Sequence, residues 1–203
     1  MDNLQNNISA LISASRKGDH EAKALLIGHF REYLRLLANL HIRPMLKSKF
    51  DESDVVQETC MQAIEGFAQF RGTSEKQFAA WLRQILANKG AWMARKFRTE
   101  KRDAGLELEL KQYIDQSSID LDAMVPDKYS SPSRVAIGRE RVVLLAQAIE
   151  QLRGEQKDVL IMRGLEGKSI PEVAKSLHRT EASTWKLWAR GLQSLRKIMR
   201  EEI

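Results

Sequence analysis

Over residues 19–41, Ala22, Leu25, Leu26, Phe30, Tyr33, Leu34, Leu37 and Leu40 recur every three or four positions. That is the period of one face of an α-helix, and no strand can bury such a set on one side. The period returns over 51–69 through Val55, Val56, Cys60, Ile64 and Phe67, and again through Phe78, Trp81, Leu82, Ile85, Leu86, Trp92 and Met93. Asp19 is placed to cap the first stripe, and the acidic run Asp51-Glu52-Ser53-Asp54 suits a helix start, where carboxylates meet the positive end of the dipole. Chain breakers are scarce, with 11 Gly and 4 Pro in 203 residues. A sandwich or barrel would need frequent turn residues. The expected class is all-α.

Beyond residue 138 the pattern resumes. Residues 139–152 carry Val142, Val143, Leu145, Ala146, Ile149 and Leu152, and residues 155–165 carry Val159, Leu160, Met162 and Leu165. Gly164 and Gly167 mark a stop. Ser169 followed three residues later by Glu172, with Pro171 in the first turn, marks a restart by a capping box. After the short turn Leu177–Thr180, a long helix is expected over about residues 181–200.

Charge divides the chain the same way. Residues 1–102 hold 17 basic and 11 acidic residues, and residues 153–203 hold 11 and 7. Between them, residues 103–127 hold seven acidic residues and one basic. Residues 115–133, with their Ser, Asp, Pro126 and Pro132, show no sustained helical period and favour extended backbone. The expected architecture is two small helical domains, 1–102 and 139–203, joined by an acidic flexible linker at 103–138. The linker reads either as a solvated spacer or as a nucleic-acid mimic that occupies a basic channel on a partner.

Several functions are excluded. Cys60 is the only cysteine, so neither a disulfide framework nor a cysteine metal cluster is possible within the chain. No apolar run reaches 18 residues, and the N-terminus lacks a signal-peptide pattern, so a cytoplasmic protein with no membrane insertion is expected. The four histidines match no metal spacing, and no Walker loop, nucleophile elbow or dinucleotide turn is present. No enzymatic activity, cofactor or metal is expected. Cys60 lies on an apolar stripe, where burial is expected to outweigh reactivity. The net charge of +6 instead points to a polyanion, nucleic acid first.

Helix, short turn, helix is the helix-turn-helix unit, whose second helix enters the DNA major groove. Here Thr184, Leu187 or Trp188, Leu192 and Leu195 supply its inner face. Thr180, Glu181, Ser183, Lys186 and Arg190 are left facing outward, toward base edges or phosphates. The same pattern also fits a basic, solvated helix packed in a bundle.

Taken in order, these segments resemble the extracytoplasmic-function (ECF) group of bacterial sigma factors, the small promoter-recognition subunits of RNA polymerase. Asp51 to Thr59 (DESDVVQET) is similar to that family's D-x-x-D-[LV]-V-Q-E-T. Phe70-Arg71-Gly72 followed by Phe78 to Leu82 resembles its F-R-G and F-x-x-W-L, and Ile85 to Asn88 matches I-x-x-N. Leu152 to Leu165, then Glu166-Gly167-Lys168-Ser169 and Glu172-Val173-Ala174, resemble the C-terminal signature. The resemblance implies that Asp54, Gln57 and Glu58 dock on the clamp helices of the polymerase's largest subunit. It implies that Phe70, Arg71, Gly72 and Asn88 capture a flipped base of the minus-ten element, with Arg95, Lys96 and Arg98 on nearby phosphates. It assigns the C-terminal lobe, which would also meet the polymerase flap, to the minus-thirty-five element, and the linker to the active-centre cleft and RNA exit channel. The implied partners are core RNA polymerase, promoter DNA and, as often in the family, an anti-sigma protein. Trp81 is expected in the core, while Trp92 fits core or melted strand equally. Two departures stand out. The family often has Gly in the helix-turn-helix turn, where this chain has His178-Arg179, and it often has Val then Lys-Ser-Arg on the recognition helix, where this chain has Thr184-Trp185-Lys186-Leu187. From the residues alone, a polymerase-independent helix-turn-helix regulator and a helical protein-interaction module remain rivals.

Overall fold

The computed structural model describes residues 8–45, 51–97, 105–123, 141–152 and 154–201. Among these residues every regular element is helical. They fall into two compact units, the first running to Gln116 and the second beginning at Ser117.

The first unit contains α1 (Ile8–Arg16), α2 (His20–His29), α3 (Arg31–His41), α4 (Glu52–Gly66) and α5 (Glu75–Phe97). Asp19 caps α2 by accepting from the Ala22 amide at 2.9 Å. The long apolar stripe of 19–41 is two helices rather than one, broken at Phe30. Gly28 weakens the end of α2, since glycine costs about 1 kcal/mol relative to alanine inside a helix. The break drives Phe30 into full burial, edge-on to Phe78 with ring centroids 5.1 Å apart. Phe67, Phe70 and Trp81 extend this aromatic cluster. Tyr33, Leu34, Leu37, Leu82 and Leu86 are completely buried beside it, each such leucine contributing about 1.5–3 kcal/mol of burial free energy. On α4 the buried face is Val55, Val56, Thr59 and Ala63. Ile64, expected on the apolar stripe, is exposed, and Cys60, expected to be buried, is half-buried. Thr59 takes the inner position because its hydroxyl bonds the Val55 carbonyl at 2.8 Å.

The acidic segment departs from the expected flexible linker. Gly105–Ala123 form a helix, α6, and the remainder of the expected linker, 103–104 and 124–138, lies outside the described residues. The run Leu106-Glu107-Leu108-Glu109-Leu110 alternates like a strand, yet Leu106, Leu110 and Ile114 are buried one helical turn apart while Leu108 is 61% exposed. Long-range partners favour the helix. Arg83 of α5, whose side chain is only 12% exposed, donates to Asp115 Oδ1 at 2.6 Å and to the Tyr33 hydroxyl at 2.9 Å. Burial opposes the charge on Arg83, but Tyr33 and Asp115 more than offset it, so the guanidinium holds its proton more firmly than usual. Tyr113 stacks on His41 with centroids 6.1 Å apart.

The second unit contains α7 (Arg141–Gln151), α8 (Glu155–Leu160), a π-turn at Ile161–Leu165, α9 (Ile170–Ser176) and α10 (Glu181–Glu201). Its buried residues include Val143, Leu145, Ile149, Val159, Leu160, Val173 and Leu195. Helix α10 packs on α7, α8 and α9. Its Gly191 allows the close approach to α8, because a Cβ there would lie 3.2 Å from Leu160 Cγ and 3.3 Å from the Gln156 carbonyl oxygen.

Replacing Arg83 by Met leaves the Tyr33 hydroxyl and the Asp115 carboxylate without their shared donor. The expected cost is about 2 kcal/mol, typical of hydrogen bonds to a charged group. Hydrogen exchange should show it as lost amide protection over 106–115, with α3 less affected.

Candidate nucleic-acid and partner interfaces

Helix α4 begins with a reciprocal cap. Asp51 Oδ1 accepts from the amides of Ser53 at 2.8 Å and Asp54 at 3.1 Å, while Asp54 Oδ2 accepts from the Asp51 amide at 3.2 Å. Asp54 is therefore partly committed to its own helix start. Gln57 is exposed one turn on. Glu58 forms an ion pair with Lys89 of α5 at 3.2 Å, a surface contact worth at most about 1 kcal/mol. Exposed Met61 continues the face beyond Gln57. Burial pushes the Cys60 thiol up, against a lowering by Arg31, so little reactive thiolate forms near neutrality.

Between α4 and α5, residues 70–73 have no regular structure and Ser74 is a bend before α5. Phe70 points inward, buried against Phe78 and Trp81 at centroid distances of 5.2 Å each. Arg71 points out and is exposed. Gly72 is sterically required, because a Cβ there would fall 2.6 Å from the Phe70 ring and 2.7 Å from Gln77 Cβ. Gln77 closes the loop, its Oε1 accepting from the amides of Thr73 at 2.8 Å and Ser74 at 3.2 Å. Ser74 Oγ accepts in return from the Gln77 amide at 3.3 Å. This is a capping box of the S-x-x-Q kind, whose signal in the sequence is the spacing of Ser74 and Gln77.

Farther along α5, Asn88 is half-buried and already engaged. Its amide lies 2.7 Å from that of Gln84. With its nitrogen turned toward the acceptors, it donates to the Gln84 carbonyl at 2.9 Å and to Glu107 Oε1 of α6 at 2.6 Å. Trp92 is 50% exposed and so is not a core residue; the Lys89 ammonium sits 6.0 Å from its ring centroid. Trp81, by contrast, packs among Phe67, Phe70 and Phe78. Arg95 is half-buried. Lys96 belongs to α5, but its side chain, like all of Arg98, lies outside the described residues.

In the second unit α9, the turn and α10 form a helix-turn-helix. At the start of α9, Glu172 Oε2 accepts from Ser169 Oγ at 2.6 Å and from the Ser169 amide at 2.7 Å. These bonds hold the Glu172 carboxyl below its ordinary value, the hydroxyl contributing most. At its end, the His178 amide donates to the Lys175 carbonyl at 3.3 Å and the Arg179 amide to the Ala174 carbonyl at 2.9 Å. That is a Schellman stop, which calls for a left-handed residue. His178 supplies it at φ 51°, in the turn where the family often has glycine. Arg179 bridges to Glu155 at 2.5 Å and to Ser183 Oγ at 3.1 Å.

Along α10 the buried ridge runs through Thr184, Gly191, Leu195 and Met199, while Leu187, Trp188 and Leu192 are half-buried. Glu181, Lys186 and Arg190 are exposed on the other side, with Trp185 52% exposed among them. Thr180 is exposed, but its Oγ1 caps α10 by accepting from the Ser183 amide at 3.2 Å. Ser183 is half-buried and tied to Arg179. Of the five expected outward residues, three thus project freely and two build the turn.

Among the described residues no three His, Cys, Asp or Glu side chains gather into a metal-binding group, and no helix is long and apolar enough to cross a membrane.

Comparison with known proteins converges on these two structures. Residues 29–102, which carry α3, α4, the Phe70–Ser74 loop and α5, match Sigma-70 region 2, and residues 143–195 match Sigma-70, region 4. Together they cover more than half of the chain in the expected order, and the chain belongs to the sigma-70 family of RNA polymerase sigma factors. Within it, the relatives place the chain in the ECF group. The ECF RNA polymerase sigma factor SigX of Bacillus subtilis is 29% identical over 163 residues, 78% of this chain and 77% of its own length. SigD of Mycobacterium bovis is 23% identical over 192 residues, covering 93% and 82%. The sigma-E factor of Haemophilus influenzae is 26% identical over 168 residues, covering 82% and 81%. The chain is accordingly a sigma factor for promoter-specific transcription, with core RNA polymerase and promoter DNA as its partners.

The Glu172 cap carries a pH signature. A carboxyl held below its ordinary value stabilises the fold fully above the unfolded value of 4.5, and that contribution is lost as pH falls through the lower folded value. The amides of Ile170–Leu177 should therefore lose protection, measured against their intrinsic exchange rates, below about pH 4.5. Glu172→Gln should flatten this dependence while exchange in α7 stays as in the parent.

Proposed function

We propose that the chain docks on the clamp helices of the polymerase's largest subunit through α4, reads the minus-thirty-five element with α10 and captures a melted minus-ten base at the Phe70–Ser74 loop and Asn88. The observation that carries this reading is the division of α10. Thr184, Gly191, Leu195 and Met199 are buried, while Glu181, Trp185, Lys186 and Arg190 are left exposed at the N-terminal half, the part of a recognition helix that meets base edges. Exposed Gln57 and half-buried Glu58 supply the polar partners for docking. Arg71 is the exposed cation of the capture loop, and its neighbour Phe70 serves as the anchor in the core. Melting draws its free energy from base capture and polymerase contacts, without ATP. The linker, residues 103–138 with its acidic stretch at 103–127, threads the polymerase's active-centre cleft and RNA exit channel.

Reconstitution with core RNA polymerase tests this directly. Promoter-specific transcripts that require both elements are expected. Duplex binding without core binding would favour a polymerase-independent regulator, and core binding without transcripts would favour an interaction module. Lys186→Ala and Arg190→Ala should each lower affinity for a duplex minus-thirty-five element by about tenfold or less and reduce its salt dependence.

Asn88 provides a second test, because its amide nitrogen is shared with Glu107. Asn88→Ala should weaken binding of a single-stranded minus-ten oligonucleotide by roughly tenfold, the scale of one good base-edge pair. Glu107→Ala should strengthen binding of the same oligonucleotide by the free full-length chain, because the amide no longer has to leave a carboxylate. Fluorescence anisotropy on both variants reads the two signs side by side.

A further inference from the structure

The loop between α4 and α5 has few backbone bonds of its own, so side chains must fix its course. Gln77 holds one end from within the same segment. The other holder comes from the last residue of α1, outside the stretch matched to region 2. Arg16 Nη2 donates to the Phe70 carbonyl at 3.3 Å and to the Gly72 carbonyl at 2.5 Å. Its guanidinium carbon lies 5.7 Å from the centroid of the Phe70 ring. The two carbonyls flank Arg71, so the bonds fix the direction in which Arg71 leaves the core. A cleft of about 350 Å³ opens beside this clamp, lined by Ser9, Ile12, Ser13, Arg16, Lys17 and Thr73. A planar guanidinium can stack on a ring while donating to two acceptors; an ammonium is a point charge without that fork.

We propose that Arg16 is a positioning residue for minus-ten base capture: it locks the Phe70–Ser74 loop in one shape before DNA arrives. The inference rests on the assignment of that loop to base capture. A preordered loop pays no ordering cost on binding. It also rejects the wrong base, because it cannot repack around it. Without Arg16 the loop retains its Gln77 cap and its Phe70 anchor but loses the link between them.

The test uses holoenzyme assembled from core polymerase and the full chain, as wild type, Arg16→Ala and Arg16→Lys. Permanganate reactivity of promoter thymines measures open complexes on templates carrying each of the four bases at the captured position. Core affinity and the melting temperature of the free chain are measured alongside. Arg16→Ala should lower open-complex formation on the preferred base by about tenfold and bring the ratio between preferred and rejected bases toward one, with core affinity unchanged. Arg16→Lys, which keeps charge and stem, should fail to restore the ratio, and it carries the test if the alanine variant melts early. A ratio that stays at the wild-type value in both variants overturns the proposal, as does a loss that tracks core affinity alone. A wild-type holoenzyme that opens promoters with no preference at that base would instead overturn the capture reading on which the proposal stands.

Discussion

Helix α5 has to satisfy two demands with one 3.6-residue period, and the first unit depends on how it does so. Phe78, Leu82 and Leu86 are completely buried, as are Ala79 and Ala91. The positions between them, Gln84, Asn88, Lys89 and Trp92, are left half-buried or exposed. Burial of the first set fixes the rotation of the helix, and that rotation alone presents the second set together. A polar face built this way takes its geometry from the core beneath it. The same arrangement recurs on α10, where the buried ridge from Thr184 to Met199 aims Lys186 and Arg190 outward.

The helix starts were the most legible features of the sequence, because caps are local. Asp19, Asp51 with Asp54, and Ser169 with Glu172 all act within three residues of themselves, and the reading from spacing holds at each. The break at Phe30 was not legible. The apolar period runs through it almost in phase, and the ring that receives Phe30 at the break, Phe78, is 48 positions away. The helical period alone does not choose between Leu187 and Trp188 for the inner face of α10. In the structure both are half-buried, straddling the edge of the ridge.

Helix α6 eluded sequence reasoning for a different reason. Acidic and serine-containing composition is a fair sign of extended backbone when a segment is alone. Here Leu106, Leu110 and Ile114 are buried, and Asp115 finds Arg83, 32 positions earlier. Local preference yields to tertiary contacts that spacing does not announce. The candidate site divides along the same line. Of the residues that project, Arg71 is legible from the family resemblance, and Lys186 and Arg190 from the period of the second helix of the helix-turn-helix. The side chains that engage the Phe70–Ser74 loop and Asn88, namely Gln77, Arg16 and Glu107, act on backbone or amide partners, and two of the three act over long sequence distances.

The helical state of α6 also sets a length. Nineteen residues at 1.5 Å per residue span about 28 Å, whereas the same residues drawn out would reach about 65 Å. Coiling thus shortens the stretch by more than half, and the contacts of Tyr113 with His41 and of Asp115 with Arg83 tie that shortening to the first unit. Substitutions that free those two side chains would lengthen the chain here as well as loosen the fold.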